Sequence, residues 1–122
     1  MSGESEDRPW GSWTVLDEGD GFKVKRIHVN AHSRLSYQTH ERRAEHWVIA
    51  AGRCTAIIDG ETVVAGPGES IWVEVGQAHR ITNAENYPLV VVEVQLGSYT
   101  GEDDICRLED DYGRTPVPGA TA

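Results

Sequence analysis

Apolar and polar residues alternate in short runs along most of this chain, and no stretch repeats its apolar residues with the 3.6-residue period of a helix. The runs are rich in Val, Ile, Thr and Trp, and turn residues, including 13 Gly and 5 Pro, separate them. This pattern predicts a series of short β-strands joined by tight turns. The predicted strands cover residues 14–16, 22–29, 34–40, 44–50, 53–58, 61–65, 70–73, 79–83 and 89–96.

One turn carries a specific hairpin signal. Asp59-Gly60 stands between two predicted strands, and Asp-Gly is favoured where both central residues of a two-residue turn need a positive φ. Strands that recur about every 8–12 residues are typical of an antiparallel sandwich or barrel. We therefore predict an all-β fold, in which residues 101–111 form one helical turn or a loop.

The length of the chain allows one domain. A chain of 122 residues buries roughly two-thirds of the surface that it exposes when unfolded, which is enough for one modest core. Residues 1–7 and 115–122 carry no apolar pattern, and we expect them to be flexible tails. The predicted domain covers residues 8–114.

Acidic residues outnumber basic ones by 20 to 11, which gives a net charge of −9. The field of such a protein repels nucleic acid and anionic membranes, so we expect neither as a partner. The acidic start is unlike a signal peptide, and no apolar run approaches the ~20 residues that cross a bilayer. We expect a cytoplasmic protein in which Cys54 and Cys106 are reduced.

Three of the predicted strands place polar side chains on their inward faces. Alternation puts Ser36, Gln38 and His40 on one face of a strand. Glu45 and His79 belong to two other strands, and each shares a face with core residues of its own strand. An amide oxygen, two imidazoles and a carboxylate suit Zn, Mn, Fe or Co better than Ca²⁺. The alternative for each imidazole is a histidine that is hydrogen-bonded within the core.

Two motifs resemble those of the cupin family. The first, Q-x-H-x4-E-x6-G, covers residues 38–52 and has Gln38 where the family usually begins with His. The second, G-x5-E-x-G-x2-H-x3-N, covers residues 68–83 and has Glu74 where the family usually has Pro. The resemblance implies a small antiparallel jelly-roll barrel. It also implies that the metal ligands are Gln38, His40, Glu45 and His79.

Longer sequence motifs between Arg8 and Arg114 are similar to those of the type II phosphomannose isomerases. That family often joins this domain to a sugar-nucleotide transferase, which is not part of this sequence. The resemblance implies an aldose–ketose isomerase that interconverts mannose 6-phosphate and fructose 6-phosphate. These motifs are RPWGSW at residues 8–13, KVKRI at 23–27, RAEHW at 43–47, GEDDI at 101–105 and DYGR at 111–114.

The resemblance also implies a cofactor and partners. We expect one divalent metal ion, Zn²⁺ in the first place, with Mn, Co, Fe or Ni as alternatives. The expected substrate is a small phosphorylated sugar. We further expect a homodimer, because cupins often pair through edge strands and pairing protects such edges.

Isomerisation moves a proton between C1 and C2, and it needs a base and a cation that stabilises an oxyanion. Lys25 shares a face with apolar residues, so its ammonium points into the barrel or, alternatively, reaches water at an edge. Arg43 lies two residues before Glu45 on the same face and can polarise a sugar oxygen or relay a proton. Glu93 alternates with three valines whose composition favours the core, whereas the resemblance implies that Glu93 lines the pocket. Lys25, Arg43 and Glu93 are the candidate catalytic residues.

Two residues are candidates for binding the phosphate. Ser36 lies two residues before Gln38, and the wider family of phosphomannose isomerases has Ser at this place. Arg107 follows an acidic stretch and can close over the substrate, or it is simply part of a solvated run of charges.

Two other functions stay open at this point. The barrel can serve as a non-catalytic module that binds a sugar or another small ligand. It can also belong to a different metal-dependent cupin enzyme, such as an iron oxygenase or another sugar isomerase.

Overall fold

The computed structural model describes residues 3–114, which form thirteen strands. These described residues contain no helix, and therefore none that is long and apolar enough to span a membrane. The strands are β1 (Ser5–Arg8), β2 (Gly11–Gly19), β3 (Phe22–Val29), β4 (Ser33–Arg34), β5 (Tyr37–Thr39), β6 (Arg43–Ala51), β7 (Cys54–Ile58), β8 (Glu61–Ala65), β9 (Ser70–Val73), β10 (His79–Arg80), β11 (Thr82–Asn83), β12 (Leu89–Gly97) and β13 (Cys106–Glu109).

Two antiparallel sheets make up most of the fold. The larger sheet has the strand order β1-β2-β3-β12-β6-β9, and the smaller one has the order β13-β5-β10-β7-β8. A separate pair, β11-β4, lies beside them. Several neighbours in these sheets, such as β3-β12 and β6-β9, are not consecutive in the chain, as in a jelly roll, and the all-β prediction is confirmed.

The β7–β8 hairpin forms where the sequence predicts it. Asp59 and Gly60 have φ values of 47° and 80°, and Ile58 pairs with Glu61 across the turn. Two positive φ values in succession give the turn the twist that antiparallel strands need.

Inward side chains of the two sheets form one apolar core. Trp47 and Ile49 of β6 are fully buried, and they belong to the same cluster as Ala56 and Ile58 of β7. Burying one such large apolar side chain stabilises the fold by ~1.5–3 kcal/mol. The two sheets therefore face each other across the core, and the polar site described below lies between them.

Both ends of the predicted domain need correction. Ser5–Arg8, most of which was expected in a flexible tail, forms β1 and pairs with β2. Cys106–Glu109, expected in a helical turn or a loop, forms β13 and pairs with β5. In both places hydrogen bonding to a neighbouring strand outweighs a weak apolar pattern. The predicted tail at residues 115–122 lies outside the described residues.

Two predicted strands are each divided in two. The run at 34–40 becomes β4 and β5, and the run at 79–83 becomes β10 and β11. The break lets each run pair in two places, because β4 pairs with β11 while β5 pairs with β10.

The composition of β12 favoured the wrong face as the buried one. Its buried face carries Val91, Glu93 and Gln95, whereas the three valines that alternate with them are half-buried. The reason is register: Glu93 lies opposite Lys25 on one side and Trp47 on the other, and both of these side chains are buried. Trp72 is 45% exposed on β9.

Candidate metal centre

Three predicted metal ligands meet inside the barrel. His40 directly follows β5, Glu45 lies in β6 and His79 begins β10. Ligand atoms of the three residues all lie within 4.8 Å of one another, and the side chains are only 2–4% exposed. The strands thus bring together two imidazoles and a carboxylate that are far apart in the sequence.

The distances between these donor atoms suit one shared ion. Two atoms that bind the same ion at ~2.0–2.2 Å lie roughly 3–3.5 Å apart. His40 Nε2 lies 3.1 Å from Glu45 Oε2, and His79 Nε2 lies 3.7 Å from Glu45 Oε1. Only small side-chain movements separate this arrangement from a coordination sphere.

Backbone carbonyls orient both imidazoles. Nδ1 of His40 lies 2.6 Å from the carbonyl oxygen of Asp104, and Nδ1 of His79 lies 2.9 Å from that of Gln77. A carbonyl only accepts, so Nδ1 of each ring carries the proton and Nε2 is turned towards Glu45. Histidines that bind metals usually have this arrangement. The residues therefore fit a divalent ion.

Gln38, the fourth predicted ligand, lies directly opposite His79 where β5 pairs with β10. Its amide nitrogen donates to Ser36 Oγ at 2.9 Å and to the Ser36 carbonyl at 3.3 Å. This orientation commits the nitrogen to Ser36 and leaves the oxygen as the atom that can bind a metal.

Glu45 is held in its ionised form. Burial alone would raise the pKa of Glu45, but the hydrogen bond to His40 and the charges of His79 and Arg43 hold it well below its usual value. Arg43 Nε donates to Oε2 of Glu45 at 2.9 Å, and Trp47 Nε1 donates to Oε1 at 2.9 Å. The indole of Trp47, an apolar core residue in other respects, is thus a polar partner of Glu45.

The pKa of Glu93 is shifted in the opposite direction. Burial and the nearby charge of Glu45 raise its pKa to about 7, although Arg43 and Lys25 oppose this shift. Gln95 Nε2 donates to Glu93 Oε1 at 2.6 Å. Glu45 is thus firmly ionised, whereas Glu93 gains a proton near neutral pH.

Lys25 points into the barrel, as one of the two predictions for it requires. It is 4% exposed, and its Nζ lies 4.1 Å from the centre of the Trp13 ring. Glu102 is its ion-pair partner, with 2.6 Å between Nζ and Oε2. The alternative, an ammonium that reaches water at a sheet edge, does not apply.

The candidate phosphate contacts lie on the smaller sheet and its flank. Arg107 of β13 pairs with Gln38, and Ser36 is buried beside Gln38. Burial lowers the pKa of Arg107, and so do the charges of Arg114 and Arg8. The Nε of Arg107 is buried and has no hydrogen-bond partner among residues 3–114. The sequence analysis missed Arg8 and Arg114, because neither lies in a run whose alternation assigns a face.

One pocket of about 90 Å³ joins these groups. A single water needs ~10–15 Å³ measured in this way, so the pocket has room for several waters or for part of a small ligand. Its lining includes the metal-ligand candidates Gln38, Glu45 and His79, the cations Lys25, Arg43, Arg8, Arg107 and Arg114, and the acids Glu93 and Glu102. The pocket can hold an anion beside a metal ion.

Comparison with known sequences places most of the chain in one family. The family model described as "Mannose-6-phosphate isomerase C-terminal" matches residues 3–110. Alginate biosynthesis protein AlgA of Pseudomonas aeruginosa is 46% identical over 111 residues, which cover 91% of this chain and 23% of AlgA. Mannose-1-phosphate guanylyltransferase ManC of Salmonella typhimurium is 46% identical over 107 residues, which cover 88% and 22%. The chain thus spans less than a quarter of the length of these relatives.

Solved structures support the fold. The cupin domain of Schizosaccharomyces pombe Cnp3 superposes with a TM-score of 0.68 at 11% identity, over 70% of this chain and 64% of that one. A double-stranded β-helix protein of Klebsiella pneumoniae superposes with a TM-score of 0.70 at 18% identity, over 80% and 83%. At such low identity the likeness concerns the fold alone, and the predicted cupin jelly roll is confirmed.

The prediction of an aldose–ketose isomerase is wrong. The relatives are named as mannose-1-phosphate guanylyltransferases and as an alginate biosynthesis protein, and not as isomerases. The prediction depended on motifs such as RPWGSW at residues 8–13. These motifs identify a shared domain, and a shared domain does not determine which reaction is catalysed. By its sequence match and its cupin fold, the chain belongs to the family described as Mannose-6-phosphate isomerase C-terminal.

Proposed function

We propose that this chain is a metal-binding cupin domain whose pocket binds a small phosphorylated sugar. The observation that carries the proposal is the buried cluster of His40, Glu45 and His79, since Glu45 and His79 line a pocket that several arginines also line. A protein with a net charge of −9 has few cations to spare, so their convergence on one pocket favours an anionic ligand.

In this proposal Gln38, His40, Glu45 and His79 hold the ion. Zn²⁺ is the expected metal, and Mn, Co, Fe and Ni are the alternatives, because mixed nitrogen and oxygen ligands suit all of them. Such an ion acts as a Lewis acid towards a hydroxyl or carbonyl oxygen of a sugar. The protein's part is to fix the two imidazoles through the carbonyls of Asp104 and Gln77.

The phosphate lies at the arginine end of the pocket. Arg107 offers a buried Nε without a partner among the described residues, and Ser36 adds a hydroxyl. Arg8 and Arg114 line the same pocket and complete a cationic group. The planar guanidinium can donate two parallel hydrogen bonds to one phosphate.

The middle of the pocket is suited to sugar hydroxyls. Arg43 is a donor, and Glu93 either donates or accepts because its pKa of about 7 lets it carry a proton at neutral pH. The relatives named mannose-1-phosphate guanylyltransferase act on a mannose phosphate, and this name makes mannose phosphates the first ligands to test.

Calorimetric titration with mannose 6-phosphate and mannose 1-phosphate tests the proposal. Zinc-loaded protein is expected to bind at least one of them, and chelator-treated protein is expected to bind it more weakly. Arg107→Gln removes a charge-assisted contact worth about 1.5–3 kcal/mol, so its affinity should fall roughly 10- to 100-fold.

Arg53→Gln is the matched control, since Arg53 is exposed and lies outside this pocket. It should bind like the unmodified protein. No binding of either sugar phosphate in the presence of metal, or equal losses in the two variants, would overturn the proposal.

A further inference from the structure

An irregular segment between β12 and β13, residues 98–105, lies against the pocket. Glu102 and Ile105 of this segment belong to the pocket lining. The segment follows the end of β12 at Gly97 and leads into β13 at Cys106. We call it the covering segment.

Glu102 reaches from this segment to the only two lysines of the chain. Its Oε2 lies 2.6 Å from Nζ of Lys25 and 3.5 Å from Nζ of Lys23. The side chains of Lys25 and Lys23 are only 5% and 9% exposed, whereas that of Glu102 is 42% exposed. One carboxylate that remains close to water is thus shared by two ammonium groups that are nearly buried.

The covering segment has separate anchors on either side of Glu102. The carboxylate of Asp104 accepts hydrogen bonds from the backbone N–H groups of Glu41 and Arg42, both at 3.0 Å. The carbonyl of Thr100 accepts from Lys23 Nζ at 2.8 Å. Since Asp104 also orients His40, its anchor must persist when the metal centre is in use. The Glu102 side chain can leave the lysines without breaking that anchor.

Lys25 and Arg107 line the pocket from different sheets. Lys23 and Lys25 belong to β3 of the larger sheet, whereas Arg107 belongs to β13 of the smaller sheet. A ligand that lies across the pocket can therefore offer one anionic group to Arg107 and another to Lys25.

We propose that Lys23 and Lys25 form a second anion subsite, which Glu102 occupies until a second anionic group of a ligand displaces it. This inference rests on the proposed function, because it assigns the first anionic group to the arginines. Two buried ammonium groups need a negative partner, and an incoming phosphate can replace Glu102 in that role. The ligand class is therefore a hexose with two phosphates, or with one phosphate and one carboxylate.

The inference makes Glu102 a residue that determines specificity. The apparent dissociation constant of a ligand that needs the subsite equals the intrinsic value divided by the fraction of molecules in which the subsite is free. A monophosphate held by the arginines does not depend on this fraction. Removing the carboxylate of Glu102 should therefore favour a bisphosphate over a monophosphate.

Calorimetry with mannose 1,6-bisphosphate and mannose 6-phosphate tests this inference on Glu102→Gln. The variant should bind the bisphosphate roughly tenfold more tightly than the unmodified protein and change its affinity for the monophosphate less than about twofold. Asp103→Asn is the matched control, because it removes the same charge from the neighbouring, exposed residue, which has no contact with either lysine. It should change both affinities equally.

Hydrogen exchange supplies a second readout. Adding the bisphosphate to unmodified protein should speed amide exchange around Glu102, while adding the monophosphate should not. If Glu102→Gln and Asp103→Asn both gained affinity equally for the bisphosphate and the monophosphate, the inference would be overturned and the proposed function would still stand. Failure of every variant to bind either ligand would overturn both.

Discussion

Glu45 is a carboxylate with no access to water, and each of its oxygens has partners from a different part of the barrel. Arg43 and His40 contact Oε2, while Trp47 and His79 approach Oε1. Removing one member of a buried ion pair typically costs about 3–5 kcal/mol, because the other charge stays buried and unpaired. Replacing Glu45 would therefore disturb Arg43 as well as the metal centre, and His79 is the better residue to substitute.

Cys54 illustrates how far burial alone changes the chemistry of a side chain. It is fully buried, and burial raises the pKa of its thiol to about 12. At pH 8 the thiolate fraction is then on the order of one in 10⁴, and the thiolate is the reactive form. In a Cys106→Ser variant, which keeps only Cys54, a thiol reagent such as DTNB should react on a scale of hours in native buffer.

The same variant in guanidinium chloride is the control, and it should release one equivalent within minutes. Complete reaction within minutes in native buffer would contradict the buried position of Cys54. The matched variant Cys54→Ser keeps Cys106, which is half-buried, and should react faster than Cys106→Ser in the folded state.

Single residues also show where sequence patterns succeed and fail. Alternation placed Lys25 towards the interior, and this was correct because its neighbours on that face are core residues. Composition favoured the valine face of β12, and this was wrong because the interior at that point is a polar site. Glu93 is buried there against Lys25 of β3, Trp47 of β6 and Gln95 of its own strand.

At the scale of strands, local signals predicted the elements whose turns are local. The β7–β8 hairpin depends on Asp59-Gly60, and the sequence contains all that is needed to form it. β13 depends instead on hydrogen bonds to β5, which lies almost seventy residues earlier, and its own residues are only partly apolar. A pattern within a short window cannot contain that pairing.

The edge strand β8 leads to a prediction about assembly. It ends the smaller sheet, and Val63 and Val64 are 36% and 47% exposed on it. We propose that two copies pair along β8, because an exposed apolar edge is stabilised by pairing. Sedimentation equilibrium should give twice the chain mass of 13.4 kDa, and Val64→Lys should give 13.4 kDa.

Leu108→Lys is the control for this prediction. Leu108 is 51% exposed on β13, at the opposite edge of the same sheet, so the substitution adds the same charge elsewhere. This variant should remain a dimer. A monomeric unmodified protein at tens of micromolar, or a monomer only in Leu108→Lys, would contradict pairing through β8.

The whole molecule is an acidic barrel with a cationic pocket inside it. Strand alternation predicted the all-β fold, and the resemblance of the motifs at residues 38–52 and 68–83 to those of the cupin family implied the four ligand candidates. The sequence did not predict that Arg8 and Arg114 join Arg107, since the two ends of the domain meet only after the barrel closes. It also led to the wrong reaction, because relatives that share this domain are named for another activity.

The metal content of the purified protein tests the central claim most directly. Protein expressed with added zinc and then dialysed should contain about one ion per chain by mass spectrometry, as a site with two imidazoles and a carboxylate requires. His79→Ala should retain at most about a tenth of that content while its circular dichroism stays that of a β protein. His46→Ala should keep its full content, because His46 is next to Glu45 but its ring packs at a tilt against Trp72 on the other face of the sheet. Metal-free unmodified protein, or full metal content in His79→Ala, would contradict the account.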